Sequence, residues 1–200
     1  MEPMNQFSAV ALPLPLENVD TDQLIPARFM KEPRKPNGYG AFLLHDMRFD
    51  SSGEPLDFML NRPEAASSEV LVARRNFGAG SSREAAVYAL VDHGFRCVIA
   101  PSFGDIFASN SVNNGLLPAL VSEQDCERLL EAMAEQPATI TIDLQNQCIS
   151  LGEQTVSFDI NPTWKLKLLN GWDDIDLTLA RTPEIEQFRT NYKNRYPWLG

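Results

Sequence analysis

Val70-Leu71-Val72-Ala73-Arg74-Arg75-Asn76-Phe77-Gly78-Ala79-Gly80-Ser81-Ser82-Arg83-Glu84 joins a short apolar run to a glycine-bearing loop and then to a helical pattern. Val70 to Ala73 has the length and β-branched content of a buried strand. Arg74 to Gly80 reads as the loop. Ser81 to His93 reads as a helix, with Gly94 just past its end where a left-handed cap is favoured. Arg96 to Ala100 is a second buried strand. Strand, helix and strand in succession make a βαβ unit, which requires the two strands to be parallel.

Downstream, Ile106 to Asn114 reads as another helix, stopped at Asn114-Gly115. Ser122 can cap a helix that ends before Pro137 and places Cys126, Leu129, Leu130 and Met133 on one face. Ile140, Ile142 and Leu144, then Ile149 and Leu151, then Val156, Phe158 and Ile160 alternate as antiparallel ribbons do. Pro162 and Gly171 bracket a short helix. Thr182-Pro183-Glu184 opens a last one, whose Ile185, Phe188, Tyr192 and Tyr196 read first as core packing and second as a docking surface. Upstream, Phe7 to Leu16 holds Pro13 and Pro15 and suits an edge strand or irregular extended chain. Glu17 to Pro26 is a polar turn leading into apolar residues. Met30 to Gly40 has a loop composition and is expected to be mobile. Gly53 to Ser68 reads as surface, with at most a short helix near Leu56 to Leu60. The expectation is one α/β domain, residues 1–200, of mixed parallel and antiparallel strands.

With 44% hydrophobic and 22% charged residues, the 200-residue chain has a globular composition. No apolar run is long enough to span a bilayer, and the start lacks the basic and apolar regions of a signal peptide, so a cytoplasmic protein is expected. A net charge of −10 argues against nucleic acid as the main partner, yet leaves room for an arginine cluster that holds a small anion. Cys97, Cys126 and Cys148 are far apart and resemble no metal or iron–sulfur ligand set; Cys97 and Cys126 read as buried small hydrophobes. His45 and His93 stand alone, so no metal site is expected.

The chemistry is densest in Asn76 to Glu84. Gly78 and Gly80 permit a sharp turn, and a helix start offers free N–H groups and a positive dipole end to an anion. Arg83 adds donors matched to a carboxylate, and Ser81 and Ser82 add hydroxyls. Two readings stay open on the residues alone. Ser81-Ser82-Arg83-Glu84 fits a capping box that needs no function, or it fits an anion site. A P-loop is excluded because no Gly-Lys-Ser or Gly-Lys-Thr follows, and Arg83 stands where a dinucleotide fingerprint needs glycine.

Asn76-Phe77-Gly78 with Gly80-Ser81-Ser82-Arg83-Glu84 resembles the signature of the aconitase swivel-domain family, including the small subunits of isopropylmalate isomerases. The resemblance extends to Asn18-Val19-Asp20-Thr21-Asp22-Gln23-Leu24-Ile25-Pro26, to Gly94 through Phe107, and to Asn110 through Pro118, in the family's order over roughly the first two thirds of the chain. It implies a swivelling β/β/α domain like the aconitase C-terminal domain. It further implies a hydro-lyase subunit that interconverts 2-isopropylmalate and 3-isopropylmalate in leucine biosynthesis. The [4Fe–4S] cluster would sit on a large-subunit partner in a heterodimer or heterotetramer, with no cofactor on this chain.

By motif match, Ser81 would be the base toward the carbon-bound proton, Ser82 would assist, and Arg83 would hold a carboxylate of the dicarboxylate substrate. Asp22 would be the active-site aspartate of the facing loop, with Thr21 beside it. Arg28 to Gly40 occupies the specificity-loop position, where Phe29 and Met30 would contact the alkyl substituent and Lys31 and Arg34 would attract carboxylates. Arg74 and Arg75 read instead as strand-end solvation or interface pairing. The chain departs from the family at Ala85, where histidine is usual, and at Ala79, where cysteine is common. The competing expectations are a paralogous hydro-lyase acting on citraconate, a dimethylmalate or homoaconitate, and a non-catalytic anion-binding domain.

Overall fold

In the computed structural model, which describes residues 1–34, 38–134 and 136–199, the first strand is β1, Gln6–Leu14. A single helical turn α1, Thr21–Leu24, and a second, α2, His45–Arg48, precede β2, Ser68–Ala73. Then follow α3, Glu84–His93; β3, Cys97–Ala100; α4, Asp105–Asn113; β4, Leu117–Leu120; and α5, Glu123–Met133. The strands β5, Ala138–Asp143; β6, Cys148–Leu151; and β7, Gln154–Ser157 lead to α6, Pro162–Asn170; α7, Asp174–Leu179; and α8, Thr182–Arg195.

The strands form one seven-stranded sheet in the order β4-β3-β2-β1-β5-β6-β7. The β1 to β4 half is parallel and the β5 to β7 half antiparallel, with β1 as the seam. Helices cover both faces, which is why the parallel strands are apolar on alternate and intervening positions alike. Val70, Val72, Cys97 and Ile99 enter one core with Cys126, Leu129 and Leu130 of α5. Leu71, Ala73, Val98 and Ala100 enter the other with Ala86, Val87 and Leu90 of α3. The expected mixed α/β architecture is present.

The structure departs from the sequence reading at four elements. β1 is central, not an edge: Pro13 is accommodated because pairing with β5 ends at Ala11, leaving only the β2 flank paired at that point. β4 escaped the reading because Pro118 sits within it; at the sheet edge its one strand neighbour is β3, with a single further bridge from Leu120 to Asp159. α7 was likewise unforeseen. The stripe on α8 is not core: Ile185, Phe188 and Tyr192 are exposed, Phe188 by 69%, and the helix has no buried residue.

The expected mobile segment is instead tethered in its described part; Lys35 to Asn37, which belonged to that expectation, lie outside the described residues. Arg34 grips Asp92 at the end of α3 through Nε at 2.9 Å and Nη2 at 2.7 Å, and lies over the Tyr88 ring. The Tyr39 N–H donates to the same carboxylate at 2.8 Å, and the Tyr39 hydroxyl donates to the Glu32 carbonyl at 2.9 Å. The Arg34 guanidinium holds the Asp92 carboxyl below its usual range. Next to it, His93 stacks on Phe95 and reaches the Gly40 carbonyl through Nδ1 at 3.2 Å.

Burial pushes the His93 imidazole down from its ordinary pKa, and Arg48 adds to that. The folded protein therefore keeps His93 neutral where the unfolded chain begins to take a proton, near pH ~6.5. Stability from this site is complete above that pH and declines as pH falls toward the depressed folded value. Melting temperatures between pH 7.5 and 5.5 should fall more steeply for the wild type than for His93→Asn; parallel curves would exclude His93 as the cause.

Candidate active site

Three loops meet beyond the carboxyl ends of β1, β2 and β3, where open α/β sheets place their ligands. Residues 15–20 lie beside residues 74–83, tied by Asn18 N–H to Arg75 O at 3.0 Å, Gly78 N–H to Val19 O at 2.7 Å and Thr21 N–H to Ala79 O at 2.9 Å. Residues 101–104 join them through Phe77 N–H to Ser102 O at 3.0 Å and Gly104 N–H to Phe77 O at 2.9 Å. Asn76 N–H also donates to the Ser102 hydroxyl at 2.8 Å. Beneath, Phe77 is buried edge-on against Phe103 and Phe107.

Two glycines are needed for different reasons. Gly78 has φ +71°, and a Cβ there would lie 2.2 Å from the Phe107 ring, so both backbone and space demand glycine. Gly80 has φ +96° but room for a Cβ, so its requirement is conformational. After it, the Ser81 carbonyl accepts from the Thr21 hydroxyl at 3.0 Å and from the Arg83 N–H at 2.8 Å.

That tight turn overturns the capping-box reading. α3 begins at Glu84, its N-cap is Arg83 without a side-chain cap, and the Glu84 carboxylate accepts from Asn114 Nδ2 at 3.0 Å. Ser81 and Ser82 therefore precede the helix rather than cap it. Both are exposed, and the Ser81 hydroxyl has no partner among the described residues.

Arg83 forms an ion pair with Asp22, Nη1 donating to Oδ1. Asp22 is placed by α1, a turn closed by the reciprocal cap between Asp20 and Gln23. Ser81, Ser82, Arg83, Thr21 and Asp22, distant in sequence, are thus brought together. A cavity of about 200 Å³ opens beside Ser81, walled by Gly78, Gly80, Gly104, Asp105 and Ile106. Ser102, Asp105 and Ile106 were not singled out from the sequence as site residues. The turn into α4 was legible, but not its approach to Ser81.

Phe29 and Met30 do not line that cavity. Phe29 stacks on Phe42, with centroids 4.4 Å apart and planes 6° from parallel, and both residues pack against the core. Phe29 instead faces a separate cavity of about 560 Å³ with Arg28, His45 and Asp46. Arg34 is occupied by Asp92, as described. Arg74 forks onto Glu127 at 2.7 and 3.0 Å, and Arg75 pairs with Glu17 at 2.9 Å.

The chain's own donors do not fit an iron–sulfur cluster. Cys97 and Cys126 are fully buried, and burial holds both as thiols, that of Cys126 pushed up to about 12 while it donates to the Ala73 carbonyl at 3.2 Å. Among the described residues no cluster of three or more His, Cys, Asp or Glu side chains is arranged to hold a metal ion.

The sheet and the serine–arginine loop define an aconitase C-terminal type of domain, and residues 1–124 match the family model of that description. A second model, LeuD_N, matches residues 127–162. The chain is 46% identical to the 3-isopropylmalate dehydratase small subunit of Bacillus licheniformis, over 100% of this chain and 99% of that one. It is 44% identical to the protein of that name from Bacillus subtilis and 43% to the one from Dinoroseobacter shibae, each over 100% of this chain and 99% or 100% of the relative. The chain belongs to the 3-isopropylmalate dehydratase small-subunit family, and the resemblance read from its motifs is borne out. A crystal structure of a 3-isopropylmalate dehydratase from Methanocaldococcus jannaschii shares the fold, with TM-score 0.65 and 24% identity over 92% of this chain and 99% of that one.

Proposed function

We propose that this chain is the small subunit of a heteromeric hydro-lyase that isomerises 2-isopropylmalate and 3-isopropylmalate by dehydration and rehydration. The observation that carries the reading is an exposed Ser81 lining an open cavity, two residues before the Arg83 that pairs with Asp22 of the facing loop. In this reading the Ser81 oxygen, as an alkoxide, takes a proton from the carbon next to the carbinol carbon as hydroxide leaves; on rehydration a proton is delivered to the former carbinol carbon while hydroxide adds to the carbon that was deprotonated. Arg83 exchanges its contact with Asp22 for a substrate carboxylate, and its charge favours the ionised serine. Thr21 positions Ser81 through the Ser81 carbonyl, and Ser82 assists from the next residue.

Lewis acidity toward the substrate hydroxyl would be supplied by a [4Fe–4S] cluster of the large subunit. The partner reading also uses α8. An isolated helix of that length is marginal in water, and its aromatic, arginine-flanked stripe has the composition of an interface centre. The matches to small subunits extend over α8, which supports the reading that a large subunit covers it, in a heterodimer or heterotetramer. Among the described residues no helix is long and apolar enough to cross a membrane; the cytoplasm is the proposed location.

Anaerobic reconstitution with cluster-bearing large subunits, followed at the ultraviolet absorbance of the unsaturated diacid, tests the function. Turnover of isopropylmalate is expected; none with any partner would leave the anion-binding domain as the better reading. Phe188→Asp with Tyr192→Asp should weaken capture of the large subunit by about 10-fold or more, as loss of interface anchors does. The melting temperature of the isolated chain should stay put. Unchanged capture would remove α8 from the interface.

A further inference from the structure

We infer that Ile106 is a specificity-determining residue, the wall against which the alkyl substituent of the substrate packs. The inference rests on the alkylmalate reading above and assigns a part of recognition that Ser81, Arg83 and Asp22 leave uncovered.

An alkylmalate presents two carboxylates, a hydroxyl and one branched hydrocarbon group. The polar groups have counterparts in Ser81, which lines the cavity, and in Arg83 two residues on; the hydrocarbon needs an apolar surface in the cavity beside Ser81. Three walls of that cavity are Gly78, Gly80 and Gly104, which carry no side chain, and Ser81 and Asp105 are polar. Phe107 also lines it but is only 4% exposed, its ring committed to Gly78 and Phe77. Ile106 is 54% exposed. It is the one large apolar side chain of that lining with surface left to bury, and covering such a side chain is favourable in proportion to the area removed from water.

Its position is fixed as a specificity contact requires. Ile106 sits in the first turn of α4, whose start is locked to the Ser81 loop. The Gly104 N–H donates to Phe77 O at 2.9 Å, and a Cβ on Gly104 would meet the Gly78 carbonyl at 2.6 Å. The two backbones are therefore in direct contact, and Ile106 cannot drift from Ser81 without breaking that contact. Phe29, the residue the motif match offers for this task, faces a different cavity and is stacked on Phe42.

The experiment uses the reconstituted two-subunit enzyme and a series of malates bearing hydrogen, methyl, ethyl or isopropyl. The readout is the kcat/KM ratio of isopropyl to methyl substrate. Ile106→Ala should lower that ratio about 10-fold or more and Ile106→Val by less, since one methylene in an apolar pocket is worth roughly 10–200-fold. Phe29→Ala should leave the ratio in place. An unchanged ratio in Ile106→Ala overturns the proposal. So does an equal fall for every substrate, which would make Ile106 a subunit contact. If the wild-type enzyme turns over none of the series, the functional reading itself fails and the inference falls with it; a wild type that prefers isopropyl while Ile106→Ala keeps that preference fails the inference alone.

Discussion

Ser81→Ala in the reconstituted enzyme is expected to reduce kcat by about 10³-fold with KM nearly unchanged. Removal of a positioned acid–base group costs on the order of 10²–10⁴-fold, and among the lining residues of that cavity Ser81 alone carries a hydroxyl. Fold and assembly should be spared. The side chain is exposed, the turn is held through the Ser81 carbonyl and not its hydroxyl, and exposed substitutions of this type cost within about 0.5 kcal/mol. Loss of solvent hydrogen exchange at the substrate carbon should accompany the loss of rate. A Ser81→Ala enzyme that retains more than about a tenth of wild-type kcat would remove serine from the role of base.

Arg83→Lys should reduce kcat/KM by about 10²–10³-fold despite conserving charge. A guanidinium presents paired donors in a plane, whereas an ammonium is a point charge on a flexible stem. Loss of a well-placed charged hydrogen bond in a closed site costs about 2–5 kcal/mol, and each 1.4 kcal/mol is tenfold. The effect should appear chiefly in KM, distinguishing it from Ser81→Ala. Asp22→Asn provides the converse: Arg83 loses its resting partner, so succinate-like inhibitors should bind more tightly if Asp22 acts only as a placeholder. They should bind no better if Asp22 itself contacts the substrate. Near-normal KM in Arg83→Lys would place the carboxylate elsewhere.

The site was legible in unequal parts. The glycine–serine–arginine loop announced itself because its chemistry is contiguous, and the motif match named Asp22 and Thr21. What the residues could not convey was the choice between a capping box and an open turn. Both use the same four residues; the choice was made by Thr21, far off in sequence, which engages the Ser81 carbonyl. Ile106 was invisible for a related reason. In a helical pattern it reads as one more apolar residue, and only the approach of Gly104 to Gly78 turns it toward the cavity. Phe29, which the motif match offers through its specificity-loop position, is held by Phe42 and His45 against a cavity other than the one beside Ser81.

Local pattern alone determined the alternation of strand and helix from Val70 to Ala100, the antiparallel ribbons after Ala138, the cap at Ser122, and the burial of Cys97 and Cys126. Periodicity and turn chemistry are properties of neighbours in sequence, so they survive without knowledge of the rest. Tertiary structure decided that β1 lies at the seam of the sheet, that α8 stands uncovered, and that residues 15–22 close over residues 74–83. Those outcomes depend on which strand lies next to which. An apolar stripe or a proline records only what a segment tolerates, while strand order determines what covers it.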